Sequence, residues 1–509
     1  MKMSVSSTSP AEAKADALVC AIVEKPKVLA KPLAALDRAL EGMIAAALRS
    51  GELTGERNKT VTFHTGGRLP AAKVICVGLG PAEKATLEHL RQAAASAAKT
   101  ARDQAAKTVA LVSDTFRVAR TKPGDVVGAL AEGTLLSQYR FDRFKKEKGN
   151  KKSLTEATLL VPAAELRAAR AAASRAQIVC EGVAGARDLI NLPGNEIWPE
   201  TLARAAQEVA RAGGLKCEVL HGKALETNKL AGVLAVGAGS THTPRFIILE
   251  YHPSRSTQKP IVIVGKGVTF DSGGLSLKTG HNMDDMKCDM SGAAAVIHTM
   301  AVVAQIKPKF PVIALVPAVE NMPSGTASRP GDIIRYASGQ TAEIANTDAE
   351  GRVILADALL WAKRYEPAAV IDLATLTGAC VVALGEHATG LFCTDRGLAG
   401  RITEAGAATF ERVWELPLWE EYEPQIESDV ADVKNVGGRP AGPVTAALFL
   451  KKFAEGYPWA HLDIAGTAYI EKERAYVPKN ATGVGVRLLA HLITNWKPRP
   501  TKRSPRARR

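Results

Sequence analysis

Ile261–Gly274 reads IVIVGKGVTFDSGG. Its first four residues are branched aliphatics with no polar alternation, the pattern of a strand covered on both faces. Such strands belong to parallel sheets sandwiched between helices. The following segments repeat the theme. SGAAAVIHTMAVVAQI (Ser291–Ile306) reads as a helix with a small-residue start, and FPVIALVPAVE (Phe310–Glu320) as a strand. RVILADALLWAKRY (Arg352–Tyr365) reads as a helix, and AAVIDLATLT (Ala368–Thr377) as another apolar strand. The alternation predicts an α/β domain around a central, mainly parallel, mixed sheet, with its working residues in loops beyond the carboxyl ends of the strands.

Upstream the same alternation recurs. KVICVGLG (Lys73–Gly80), TVALVS (Thr108–Ser113) and LTEATLLVPA (Leu154–Ala163) read as strands, with a helical stretch over Pro81–Lys107. Ala164–Leu192 reads as one long Ala- and Arg-rich helix that stops at NLPGNEIWP, where two prolines and a glycine punctuate the chain. The expected organisation is a smaller N-terminal α/β domain over 1–163, a connecting helix over 164–192, a larger domain over 193–496 and a basic tail over 497–509. The boundary falls near residue 190. No repeat of 20 to 50 residues is visible.

Composition narrows the class. At 509 residues, 46% hydrophobic and 23% charged, the chain has the make-up of a globular protein of several domains. Seven scattered cysteines with no C-x-x-C pair argue against a disulfide scaffold or a zinc ribbon and for small buried hydrophobes. No apolar run reaches the roughly 18 residues of a membrane span. Met1–Pro32 lacks a secretory hydrophobic region, so no membrane role and a cytoplasmic location are expected. The tail KPRPTKRSPRARR (Lys497–Arg509) carries seven Lys/Arg and no acid, half of the net +14. RFDRFKKEKGNKK (Arg140–Lys152) is a second basic run. Both read as solvated surface or as an attraction for anionic partners, nucleic acid included.

Polar residues interrupt apolar elements at two places. In VGKGVTFDSGGLSLKTG followed by MDDMKCDMSGAAA, Lys266 and Asp271 leave a strand end, Lys278 follows, and Asp289 stands just before a helix. In IANTDAEGRVILADAL, Asp348, Glu350 and Arg352 stand at the mouth of another helix. Each acid alone has an ordinary explanation in helix capping. Four carboxylates converging from strand-end loops would repel one another strongly without cations. An all-oxygen set suits divalent ions such as Mn, Mg or Zn, and two of them form the clamp used by many hydrolases. There is no H-E-x-x-H. These residues alone point to a two-metal hydrolase.

The same segments resemble the leucyl aminopeptidase (cytosol aminopeptidase) family, the hexameric metallopeptidases of peptidase family M17. NTDAEGRV (Asn346–Val353) is similar to the family signature NTDAEGRL, and VGKGVTFDSGGLSLK (Val264–Lys278) to its other defining segment. The likeness continues through GPVTAALFLKKF (Gly442–Phe453), HLDIAGTAY (His461–Tyr469) and ATGVGVRLL (Ala481–Leu489), and more weakly in VGLG and EGTLLSQYRFDRFK upstream. The resemblance implies a macro-like N-terminal domain, a di-metal catalytic domain and a homo-hexamer. It implies that Asp271 and Glu350 bridge two metal ions, that Lys266 and Asp289 complete the tighter site, and that Asp348 completes the more exchangeable one.

It further implies that Lys278 and Arg352 are catalytic. A metal-activated water attacks the scissile carbonyl, Lys278 stabilises the oxyanion, and Arg352 holds a bicarbonate that relays the proton. Arginine itself does not deprotonate, so it cannot be the base. Lysine ligates only as the neutral amine, so Lys266 must lose its proton beside two cations. Met286, Asn346, Thr375 and Gly378 match positions lining the substrate pocket, which favours leucine-like side chains. The implied reaction is removal of the N-terminal residue from peptides with a free amine, with Mn2+ or Zn2+, and Mg2+ or Co2+ as further choices. Departures from the family pattern (Gly194, Trp198, Cys288 and Ser291) flank the ligands without replacing them. A second reading is a DNA-binding regulator, since some bacterial members of the family bind DNA; the basic tail and the Arg140–Lys152 run are its support.

Overall fold

ALVCAI (Ala17–Ile22) and IVIVG (Ile261–Gly265) are buried at every position, and each lies inside a separate sheet. A computed structural model describes residues 1–146, 152–279 and 283–497. It divides the chain into two units, one of Met1–Ala184 with Glu471–Asn480, the other of Gly185–Ile470 with the chain from Ala481 onward. The basic run over Arg140–Lys152 is described only in part, and of the tail only Lys497 is described.

The first unit contains strands β1 (Lys2–Ser6), β2 (Ala17–Ile22), β3 (Thr60–His64), β4 (Lys73–Gly78), β5 (Thr108–Val112) and β6 (Glu156–Leu160). Its helices are α1 (Lys31–Ala39), α2 (Met43–Ser50), α3 (Leu87–Asp103) and α4 (Pro123–Leu136). The sheet order is β1-β6-β5-β2-β4-β3, parallel except for β3 against β4. Alternate residues of β2 enter different cores, as a strand buried on both faces requires. Val19 and Ala21 join the alanines of α3, while Leu18, Cys20 and Ile22 join Leu33, Leu36 and Ile44 of α1 and α2. The opening residues thus supply both an edge strand and a central one. The helix expected from Pro81 begins only at Leu87, because the Thr86 hydroxyl accepts the His89 N–H and sets the cap there. Helix α5 (Leu166–Asn191) carries the chain from the first unit into the second.

The second unit continues with α6 (Pro199–Gly213), β7 (Lys216–Leu220), α7 (Lys223–Thr227), α8 (Ala231–Gly237), β8 (Arg245–Tyr251), β9 (Ile261–Gly265), β10 (Gly267–Asp271), α9 (Ser291–Ile306) and β11 (Val312–Asn321). Then come the short β12 (Ile333–Arg335) and β13 (Thr341–Glu343), α10 (Glu350–Ala362), β14 (Ala369–Ala374), α11 (Gly378–Leu384), β15 (Thr389–Cys393), α12 (Arg396–Thr409), β16 (Val413–Glu415), β17 (Val433–Lys434), α13 (Gly442–Lys451), β18 (Trp459–Asp463) and α14 (Val486–Thr494). The main sheet runs β16-β15-β18-β14-β9-β11-β8-β7, with β10 paired to β11. Its centre, β18-β14-β9-β11, is parallel; β15 and β8 run antiparallel to it on either side, and β7 pairs antiparallel with β8.

Alpha-9 meets this sheet at van der Waals distance because its start is made of small residues. A side chain at Gly292 would bring its Cβ to 2.1 Å from the Leu373 carbonyl oxygen. The turn of helix before it and α9 together, Asp284–Ile306, are long and apolar enough for a membrane span, but most of the segment is buried in this core. The parallel strands set the site: the carboxyl ends of β9, β10, β11, β14 and β18 open on one side, and Lys266, Asp271, Asn321, Thr375 and Asp463 stand there.

Candidate active site at the strand ends

Lys266 follows β9 directly and is 3% exposed. Its ammonium lies 2.8 Å from Asp289 Oδ2 and 2.9 Å from Glu350 Oε1, and donates to the Thr375 carbonyl at 3.0 Å. Asp289 ends a turn of 3-10 helix before α9, and Glu350 is the first residue of α10. Asp271, at the end of β10, faces Lys278 at 2.8 Å, and Lys278 also reaches Asp348 at 2.5 Å. Two lysines therefore interleave four carboxylates.

Backbone geometry makes this convergence feasible. Gly273 and Gly274 both take positive φ, +89° and +67°, so the chain reverses after Asp271 and returns Lys278 toward it. The Gly273 N–H and Asn321 Nδ2 each donate to Asp271 Oδ1 at 2.9 Å. Thr347 ties the two motif loops together: its hydroxyl donates to the Gly273 carbonyl and accepts the Ser276 N–H. The Thr375 hydroxyl donates to Asp289 Oδ1 at 2.6 Å.

Electrostatics record the strain of four acids in a buried space. Burial and the Glu350 charge push Asp271 up to about 6, against the pull of Lys278 and Lys266. Asp289 is raised well above the usual carboxylate range by burial, with Glu350 and Asp271 adding to it. Asp348 is also raised, chiefly by burial. Glu350 goes the other way: burial opposes its charge, but the two lysines hold it below the ordinary value. Burial alone would lower Lys266, yet Asp289, Glu350 and Asp271 raise it. The surrounding carboxylates therefore keep Lys266 protonated. Burial likewise opposes the charge of Lys278, and Asp271 and Asp348 raise it, so this side chain stays cationic.

The donor set fits divalent cations. Asp271, Asp348 and Glu350 each bring an oxygen to within 4.8 Å of the others'. Glu350 Oε2 is buried with no hydrogen-bond partner. Hard oxygen donors with spare lone pairs are what such ions take. Asp289 stands just behind, linked to the trio through Lys266.

Arg352 lies one turn into α10 and is 7% exposed. Its Nη1 donates to the Asn435 carbonyl at 2.7 Å, while its Nε has no partner. Among the described residues it forms no ion pair with Glu350 or Asp348, the ordinary alternative for an arginine in that motif. Burial brings it down to about 10, against the attraction of Glu350 and Asp463.

Of the expected pocket residues, Asn346 has its Oδ1 on the Asp348 N–H, and Gly378 opens α11 with free space where a Cβ would stand. Met286 is half-buried in the turn that carries Asp289. Thr375 is engaged with Asp289 and Lys266.

Sequence reasoning passed over Asn321 and Asn435. Asn321 carried a readable signal, a polar residue closing the apolar run VIALVPAVE. Asn435 carried none. It sits outside any apolar element, yet is fully buried and accepts the Ala345 and Asn346 N–H groups while holding Arg352. The histidine of HLDIAGTAY is not among the clustered carboxylates: His461 is fully buried, with Nδ1 2.5 Å from Asp372 Oδ1, and Trp459 Nε1 donates to the same carboxylate.

The chain is similar to known proteins over most of its length. Residues 184–490 match the family model described as the cytosol aminopeptidase family, catalytic domain, and residues 19–148 match the N-terminal domain of the same family. A probable cytosol aminopeptidase of Syntrophotalea carbinolica is 48% identical over 461 residues, covering 90% of this chain and 93% of its own. One from Roseiflexus castenholzii is 44% identical, covering 97% of this chain and 99% of its own. Among solved structures, the bottromycin maturation enzyme BotP in complex with Mn superposes with a TM-score of 0.84 at 35% identity, over 94% of this chain and 99% of that one.

Proposed function

Because this chain belongs to the cytosol aminopeptidase family and is therefore an aminopeptidase-type hydrolase, we propose that it releases N-terminal, leucine-like residues from peptides at a two-metal centre built on Lys266, Asp271, Asp289, Asp348 and Glu350. The observation that carries this reading is the convergence of four carboxylates and two lysines, with Glu350 Oε2 left unpartnered. The Mn in the BotP complex supports a metal of this kind. Two divalent ions bound there would supply Lewis acidity toward water and the scissile carbonyl, and a seat for the substrate's free amine.

The chain's own residues do the rest. Asp271, Glu350, Lys266, Asp289 and Asp348 would hold the two ions. Lys278 stays protonated and supplies a positive charge toward the oxyanion of the tetrahedral state. Arg352 is a fixed cation with an unused Nε, suited to holding bicarbonate, whose chemistry is the proton transfer a guanidinium cannot perform. Asn435 keeps that guanidinium in place. Met286, Asn346, Thr375 and Gly378 border the substrate side chain, with Thr375 also orienting Asp289. The protein works in the cytoplasm as a homo-hexamer.

The test compares leucyl amide with N-acetyl-leucyl amide. Hydrolysis of the first and not of the second supports an exopeptidase that needs the free amine. Equal hydrolysis of both would remove that requirement and the reading with it.

A further inference from the structure

The far end of α10 borders a second recess. A cleft of about 240 Å³ lies between the residues that precede α8, the turn after β12 and the end of α10. Leu230, Leu360 and Trp361 form apolar walls, and Lys229, Lys363 and Arg364 stand on its rim. The three cations are exposed, and among the described residues none of them makes an ion pair. Arg364 lies over the Trp361 ring, 3.7 Å from its centroid, which directs the guanidinium along the wall.

Among the described residues Asp357 is the only acid that lines this cleft, and it is 2% exposed. Its Oδ2 accepts the Val233 N–H at 2.8 Å, at the start of α8, while its Oδ1 has no partner at all. Burial pushes this carboxyl up to about 8, although the backbone N–H groups of Val233, Gly232 and Ala231 pull it down. Near neutrality the carboxyl is therefore protonated and adds no negative charge to the cleft. The charged groups on the cleft's rim, two ammonium groups and a guanidinium, then favour an anion. None of these residues belongs to the catalytic cluster.

We propose that this cleft is a second ligand site, for a small metabolite carrying a phosphate monoester or a dicarboxylate, held by Lys229, Lys363 and Arg364. The apolar walls accommodate the carbon body of such a ligand, and the cationic rim fixes its oxyanion.

Isothermal titration of the metal-loaded enzyme at low ionic strength tests the site, with inorganic phosphate in one arm and succinate in the other; both chelate metal weakly. Four proteins are compared: wild type, the Lys363→Ser/Arg364→Ser double variant, the charge-conserving Lys363→Arg/Arg364→Lys variant, and Glu350→Ala. Saturable binding of either probe by wild type, weakened at least about tenfold in the double variant and kept in Glu350→Ala, is the expected result. The Lys363→Arg/Arg364→Lys variant retains binding and guards against loss by misfolding. Absence of saturable binding in both arms overturns the proposal. So does binding that disappears in Glu350→Ala while persisting in the double variant, which assigns the anion to the catalytic cluster, and so does equal binding by all the proteins.

Discussion

Lys278 illustrates what single residues contribute and how it can be measured. It spans Asp271 and Asp348 and remains cationic despite partial burial. Lys278→Ala should lower kcat by about 10²- to 10³-fold with little change in KM, the cost of losing one preorganised oxyanion donor. Steady-state kinetics on leucyl amide check it, and a loss confined to KM would assign Lys278 to ground-state binding instead. Asp357 makes a separate prediction through stability. Its carboxyl sits at about 8 in the folded chain against about 3.9 unfolded, so between those values the folded state binds more protons. Its contribution is fully present below about pH 4 and is lost as pH rises toward 8. Asp357→Asn keeps the amide oxygen for the Val233 N–H and has no proton to lose. The variant should therefore melt progressively higher than wild type between pH 5 and pH 8, and parallel melting curves would contradict this. The residues of DSGG and DAEGR were readable because acids beside glycines at strand ends are unusual. Asn435 was not, because its role comes from a loop that approaches α10 only in the folded chain.

At the scale of elements, the buried aliphatic runs were legible and the ends and edges were not. Ser291–Ile306 forms the helix the sequence predicts, and the strand at Phe310–Glu320 is shifted only to Val312–Asn321. Arg352–Tyr365 becomes α10 from Glu350, earlier than its apolar pattern indicates, because the site motif itself forms the first turn. Beta-1 escaped notice because tertiary pairing with β6 makes a strand of KMSVS, a segment with a weak local signal, whereas ALVCAI of β2 is an apolar run that was readable and was passed over. Two glycines show how closely the elements are fitted. A Cβ at Gly292 would meet the Leu373 carbonyl at 2.1 Å, whereas one at Gly351 would meet the end of the Lys266 side chain at 2.6 Å. Gly292→Ala must move α9 off β14 and should cost about 3 kcal/mol or more, seen as a lowered Tm. Gly351→Ala should displace only Lys266, reducing activity strongly with a smaller change in Tm. The reverse ranking of the two melting temperatures would contradict this account of the packing.

For the whole molecule, the two units answer different questions. The second holds every proposed ligand and catalytic residue, on the carboxyl side of one mainly parallel sheet, as the alternation of apolar strands and helices led one to expect. The first is a six-stranded, mostly parallel sheet of its own. Assembly as a homo-hexamer predicts a sedimenting species of six times the 53.8 kDa chain mass, and a monomer at micromolar concentration would exclude it. The central claim is that four carboxylates and Lys266 hold catalytic metal. It is tested most directly by dialysing wild type and Glu350→Ala against chelator, restoring Mn, Zn, Co or Mg in turn, and measuring both bound metal and release of leucine from leucyl amide. The account predicts activity that disappears with the metal and returns with about two ions per wild-type chain, and neither full loading nor activity in Glu350→Ala. Full hydrolysis by the metal-free enzyme, or by Glu350→Ala, would contradict it.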